Sequence, residues 1–309
     1  MKSVLCLLLC CLSWAVNASP LKVGTTMWSG YEPLYLAQHN GFYNRDIRII
    51  NYPSSSEVMR SFRNKALEVA ALTLDEVIQL REKKLPVTVF LICDISNGSD
   101  ALLARPPINR LTDLKGKRVA VESTAVGAYV LTRALDIGQL QLQDIRPVNK
   151  ENNEQLEAYL KQEVDAVVTY EPVRSQLLAN GAREIFNSRE IPGEIVDVLV
   201  VHTELLDQRR DELQQLTDGW FRALEHMKKH PENSQRYIAE RQKISPQDVG
   251  RSLRGLEFPD RKKTLKLMTG SPALLEISLQ RLAETMKGNQ LLHQDVSVTN
   301  LLSVEFVEP

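Results

Sequence analysis

Carboxylates recur in short polar stretches that end or begin apolar runs, among them Glu32, Asp75, Asp94, Asp100, Glu122, Glu171 and Asp197. The stretches are 26–33, 54–57, 73–76, 94–100, 122–127, 170–172 and 195–197. None of them contains Lys or Arg, and Arg105 stands past the 94–100 stretch, near the Pro pair. Hydroxyls share the same segments: Ser29, Ser54, Ser55, Thr73, Ser96 and Ser123. Trp28 and Tyr31 add flat apolar faces with polar tips, and Tyr129 and Tyr170 could do the same. Carboxylates accept N–H bonds and repel anions, whereas a nitrate or sulfonate site calls for Arg, Lys or several N–H donors. This pattern predicts an amine-bearing, cationic or N-heterocyclic ligand, held by carboxylates and stacked on an aromatic ring.

Some of these groups have a local alternative. Ser54 with Glu57, and Thr73 with Glu76, have the spacing of capping boxes, and Asp75 would sit in a first helical turn. Signatures of catalysis are missing: the sequence has no G-x-S-x-G, H-E-x-x-H, P-loop or G-x-G-x-x-G motif. The histidines are His39, His202, His226, His230 and His293, and no pair has the local spacing of a metal site. His226 and His230 flank Lys228 and Lys229, as on a solvated helix face. The reading is a binding protein without cofactor or metal. A secreted enzyme with a site assembled in space is the rival class.

The elements that must position these residues alternate. Strands are predicted at 21–25, 47–52, 68–72, 87–92, 101–104, 118–121, 145–148, 165–169, 184–186 and 197–201. Helices are predicted at 33–40, 56–64, 75–83, 127–136, 153–162 and 172–179. Such alternation means α/β units with parallel sheets, and ligands of open parallel sheets bind at the C-terminal strand ends. Past Val201 the pattern is helical, with Leu213, Leu216, Trp220, Leu224 and Met227 at steps of three and four. A Pro pair at Pro106–Pro107 and the loss of strand character near His202 mark two crossings. They predict lobe 1 from 19–105 plus 200–309 and lobe 2 from 106–199, with a ligand cleft between the lobes.

The 309 residues are 43% hydrophobic and carry a formal charge of −1, which excludes disorder and gives no basic stripe for nucleic acid. The first twenty residues, MKSVLCLLLCCLSWAVNASP, read as a secretory signal cleaved after Ala18. Cleavage would remove Cys6, Cys10 and Cys11 and leave Cys93 as a buried, inert thiol in an apolar run. The mature chain is then expected in the periplasm, with no stable membrane insertion.

Six stretches carry a family resemblance: W-S-G-Y-E-P-L-Y-L-A (28–37), A-L-T-L-D-E (71–76), D-I-S-N-G-S-D (94–100), L-K-G-K-R-V-A-V-E (114–122), V-D-A-V-V-T-Y-E-P (164–172) and I-V-D-V-L-V-V (195–201). In order and spacing the chain resembles periplasmic solute-binding proteins of the nitrate/sulfonate/taurine and thiamine-precursor type. The resemblance implies a two-lobed, type II flytrap fold with a helical C-terminal tail. It implies capture of a small solute for an ABC permease, or alternatively reporting to a membrane sensor, or binding of a sulfonate or taurine-type solute. The family also resembles a pyrimidine synthase with a cysteine-rich iron site, which a lone mature cysteine does not fit.

Overall fold

The structure, a computed structural model, describes residues 19–44 and 46–308. The expected signal segment, residues 1–18, lies outside the described residues. Among the described residues ten of the eleven strands fall where the sequence predicts them: β1 Leu21–Thr25, β2 Ile47–Asn51, β3 Val69–Thr73, β4 Val87–Ser96, β5 Ala101–Ala104, β6 Arg118–Val121, β7 Arg146–Asn149, β8 Ala166–Thr169, β9 Arg183–Asn187 and β10 Val196–His202. The eleventh, β11 Leu256–Glu257, is too short to leave a sequence pattern. Between the strands lie α1 Glu32–His39, α2 Ser55–Arg63, α3 Leu74–Glu82, α4 Val126–Ile137, α5 Asn152–Leu160 and α6 Val173–Ala179. The helical tail is α7 Leu205–Gln208, α8 Arg210–Lys229, α9 Pro231–Gln242, α10 Pro246–Arg254, α11 Arg261–Met268 and α12 Leu274–Gly288.

Two sheets form two lobes. The first has the order β11-β4-β10-β3-β1-β2 and the second β7-β6-β8-β5-β9. Each central strand is buried on both faces, which explains the continuous apolar runs in β3 and β4. In the tail, α8 turns Leu213, Leu216, Trp220 and Leu224 into the first lobe's core.

Two expectations need correction. The sheets are mixed, not parallel: β10 runs antiparallel to β3 and β4, and β5 antiparallel to β8 and β9. The crossings also lie earlier than the Pro pair and His202 suggest. β5, expected in lobe 1, pairs in the second sheet, and β10, most of it expected in lobe 2, pairs in the first. The chain therefore crosses between Ser96 and Ala101 and returns between Asn187 and Val196. Antiparallel order explains why: each crossing strand enters its new sheet at the cleft end, so the polar residues just before it stay at the seam.

Cys93 is fully buried in β4, and burial pushes its thiol well above the usual range, as an inert thiol requires. Among the described residues no helix is long and apolar enough to cross a membrane.

Candidate functional site

The C-terminal ends of β1, β3 and β4 meet the N-terminal end of antiparallel β10. This register puts Asp197 opposite both Thr73 and Asp94. Asp100 arrives beside them from the first crossing, where its N–H donates to Ser96 Oγ at 3.3 Å. The loop after β1 supplies Trp28, whose Nε1 donates to Asp94 Oδ2 at 3.2 Å. Tyr31 donates its hydroxyl to Asp197 Oδ1. Gly30 makes room for this: a Cβ there would lie 1.9 Å from Asp94 Oδ2 and 2.3 Å from Trp28 Nε1.

Between the lobes these groups leave only a small cavity of about 10 Å³. Its lining is Thr26, Trp28, Tyr31, Ser55, Thr73, Asp100, Val126, Tyr170 and Asp197, with no Lys or Arg. Tyr170 comes from the second lobe and meets Trp28 edge-on, with ring centroids 5.5 Å apart. The cleft is thus closed, aromatic on aromatic.

The electrostatics are one-sided. Asp75, Asp94, Asp100, Asp197 and Glu122 are each at least 96% buried, and Glu76 is fully buried. Burial is the first cause in every case and raises all six. Asp75 is pushed up to about 6, Asp100 to about 7, Glu122 to about 7 and Glu76 to about 8. Asp94 and Asp197 are held well above the ordinary range, burial being joined by the Asp100 charge at Asp94 and by the Asp94 charge at Asp197. Asp75 Oδ2, Asp94 Oδ1, Asp100 Oδ2 and Glu122 Oε2 are buried without a hydrogen-bond partner. A buried acceptor without a donor costs about 1–3 kcal/mol, more when charged; a proton shared between the neighbouring carboxyls Asp94 and Asp197, and between Glu122 and Glu151, meets part of this need, and Asp75 Oδ2 and Asp100 Oδ2 are left for donors from elsewhere. Among the described residues no group of three or more His, Cys, Asp or Glu is arranged to hold a metal ion.

Carboxylates also cross the cleft. Glu122, from the end of β6, accepts from Ser56 N–H and Ser56 Oγ of α2, both at 2.9 Å. In the other direction Glu76 of α3 accepts Val126 N–H of α4 at 3.2 Å, while its second oxygen takes Thr73 N–H at 3.0 Å.

The fourteen predicted residues divide. Trp28, Tyr31, Ser55, Thr73, Asp100 and Asp197 line the cavity. Asp75 is buried behind it, and Glu122 bridges the lobes. The other six are engaged elsewhere. Glu32 turns to the helical tail, where it accepts from Arg241 Nε at 2.9 Å and Gln242 Nε2 at 3.1 Å. Ser29 Oγ donates to Gln242 Oε1 at 3.1 Å. Glu171 accepts from Ser175 N–H at 3.1 Å and from Arg174 at 3.0 Å, and so serves α6. Ser54 caps α2, accepting Glu57 N–H at 3.4 Å. Ser96 Oγ lies 2.8 Å from Ser188 Oγ and joins the two crossings. Ser123 is exposed. Sequence reasoning left out Thr26 and Val126 and gave Glu76 only a capping role. A strand-end position next to Trp28 was the available signal for Thr26; Val126 and the reach of Glu76 depend on the lobes meeting.

The profile of the NMT1/THI5-like family matches residues 28–234. A taurine-binding periplasmic protein of Escherichia coli is 21% identical over 202 residues, 63% of this chain and 62% of that protein. The match therefore spans less than two thirds of that relative's length. The alkanesulfonate-binding protein SsuA of Xanthomonas axonopodis pv. citri, solved bound to MOPS, superposes with a TM-score of 0.80 at 16% identity, over 93% of this chain and 99% of that one. The desulfurization enzyme DszB superposes with a TM-score of 0.67 at 18% identity, over 94% and 98% of the two chains. The two-lobed fold is thus that of periplasmic binding proteins, and it also hosts an enzyme.

Proposed function

The chain belongs to the NMT1/THI5-like family, and we propose that it is an extracytoplasmic solute-binding protein that closes on a small nitrogen-containing solute and delivers it to an ABC permease. One observation carries the solute class: Asp100 Oδ2 on the cavity lining and Asp75 Oδ2 just behind it are buried without donors, while the lining holds no basic side chain. A solute with several N–H donors, such as a diamine, a guanidine or an aminopyrimidine, supplies what these oxygens lack. Charge-assisted bonds to Asp100 and Asp197 hold it, and Trp28 and Tyr170 contribute apolar faces. Binding favours the closed form because the solute touches both lobes at once. Micromolar capture needs roughly 8 kcal/mol, within reach of a few such bonds.

Catalysis is not part of this reading. The buried thiol of Cys93 offers no thiolate. His202 lies at the far end of β10 from Asp197, stacked on Phe62 with ring centroids 4.0 Å apart.

The relatives described as binding taurine and alkanesulfonate favour a second reading, a sulfonate solute. Taurine carries an ammonium group that carboxylates would accept, but its sulfonate needs donors of its own. Thermal-shift titration of residues 19–309 with putrescine, agmatine, 4-aminopyrimidine, taurine and methanesulfonate separates the two. A solute at 100 times its Kd adds about 2.7 kcal/mol of stability. Stabilisation by the amines supports the proposal; stabilisation by methanesulfonate alone overturns it.

A further inference from the structure

Closing an α/β cleft brings helix N-termini toward its centre, and their free N–H groups are where an anion would be held. Three helices of nine residues or more, α2, α3 and α4, start at this seam; the first turn of α3 carries its own acids, Asp75 and Glu76, and the other two are filled from across the cleft. Glu122 of the second lobe takes both donors of Ser56 in the first turn of α2, and Ser54 takes the N–H of Glu57. Glu76 of the first lobe takes the N–H of Val126, the first residue of α4. The exchange is reciprocal, one carboxylate given by each lobe to a helix of the other.

A second observation sets the sign of what remains. Glu122 Oε2 is buried without a partner, and Glu151, whose carboxyl neighbours it, also has a buried unpaired oxygen. Glu76 has Asp75 beside it, and Asp75 Oδ2 is unpaired as well. An anion approaching either helix start would meet a carboxyl group already on the Ser56 or Val126 N–H, with a second carboxyl group beside it. Protonation leaves the space filled: the carbonyl oxygen of neutral Glu122 still accepts both Ser56 bonds, and neutral Glu76 keeps an acceptor for one of its two N–H bonds while its side chain stays at the start of α4.

We propose that Glu76 and Glu122 are specificity-determining residues that bar anionic solutes from the cleft by occupying, from across the seam, the helix N-termini such solutes would use. This rests on the nitrogen-containing solute proposed above and names the residues that enforce it. It also predicts how the choice can be changed: removing either side chain frees backbone donors on a helix that still has its length and dipole.

The experiment compares the wild-type mature chain with Glu122→Ala and Glu76→Ala, with Glu122→Ser added in case an alanine variant does not fold by circular dichroism. Putrescine and sodium methanesulfonate are titrated by calorimetry at constant ionic strength. Wild-type protein is expected to bind the diamine and not the sulfonate. Each truncated variant is expected to raise the ratio of sulfonate to diamine affinity at least tenfold. An unchanged ratio in the folded variants, with wild type still preferring the diamine, overturns this inference and leaves the solute class standing. Preference of the wild type for methanesulfonate overturns the solute class and, with it, this inference.

Discussion

Asp94 and Asp197 face each other across the antiparallel pairing of β4 and β10. Like charges directly opposite on a sheet are destabilising, and here both are fully buried and both are held toward the neutral form. Trp28 Nε1 on Asp94 and the Tyr31 hydroxyl on Asp197 offset the cost in part. Strand register alone creates this pair, and neither carboxylate has a basic neighbour in the cavity lining. Replacing one of them by its amide removes the repulsion and keeps the Tyr31 bond. Asp197→Asn is expected to raise the stability of the unliganded protein at pH 8 by about 1 kcal/mol and to lower amine affinity at least tenfold. Urea unfolding and calorimetry on the same preparation check both halves.

The raised carboxyls set a pH dependence whose sign follows from linkage. A carboxyl whose folded value lies above its unfolded value of about 4 binds more protons when folded, so its contribution is full at low pH and disappears as pH rises through the folded value. Asp75 at about 6, Asp100 and Glu122 at about 7, and Glu76 at about 8 define the window. Stability of the unliganded protein is expected to fall between pH 5 and pH 8. Amine affinity is expected to rise over the same range as the carboxyls ionise. Melting temperature against pH, with and without putrescine, reads both trends.

Gly30 tests how closely the first loop must approach β4. With Cβ only 1.9 Å from Asp94 Oδ2, Gly30→Ala must displace the Trp28–Asp94 pair. The expected cost is about 1–3 kcal/mol of stability, the range for overpacking, together with weaker amine binding. Indole fluorescence of Trp28, compared in Gly30→Ala and wild type, reports the displacement.

Glu32 and Arg241 make a contrasting case. Glu32 is fully buried, and Arg241 both pairs with it and lies over the Tyr35 ring, with its guanidinium carbon 3.4 Å from the centroid. Removing one partner of a buried pair strands the other, at about 3–5 kcal/mol. Arg241→Ala is expected to lose stability of that order by urea unfolding while the amine Kd stays within twofold, because this pair ties α1 to α9 away from the cavity.

How far the sequence reaches can be judged from these residues. Sequence pattern locates ten strands, most clearly those buried on both faces, such as β3 and β4, which leave a continuous apolar signature. Direction is not written in composition: nothing in V-D-V-L-V-V-H says that β10 runs against β3, so the lobe boundaries shifted with it. Trp28, Tyr31, Asp100 and Asp197 were legible because each stands at a strand end in a loop without apolar periodicity. Glu32 had the same loop signature, yet its partner Arg241 lies in a helix whose approach only the folded chain decides; Glu171 also had it, and turns to Ser175 four residues on, in the first turn of α6. Glu76 illustrates the opposite limit: its capping-box spacing was correct, and its second oxygen still reaches the other lobe.

The central claim is that the cleft's carboxylates await N–H donors. Native mass spectrometry of the mature protein, purified without refolding from its exporting host, tests it most directly by weighing what the closed cleft carries. A small basic compound, lost in Asp100→Asn, is the expected result. A sulfonate or other anion carried by wild-type protein would contradict the account.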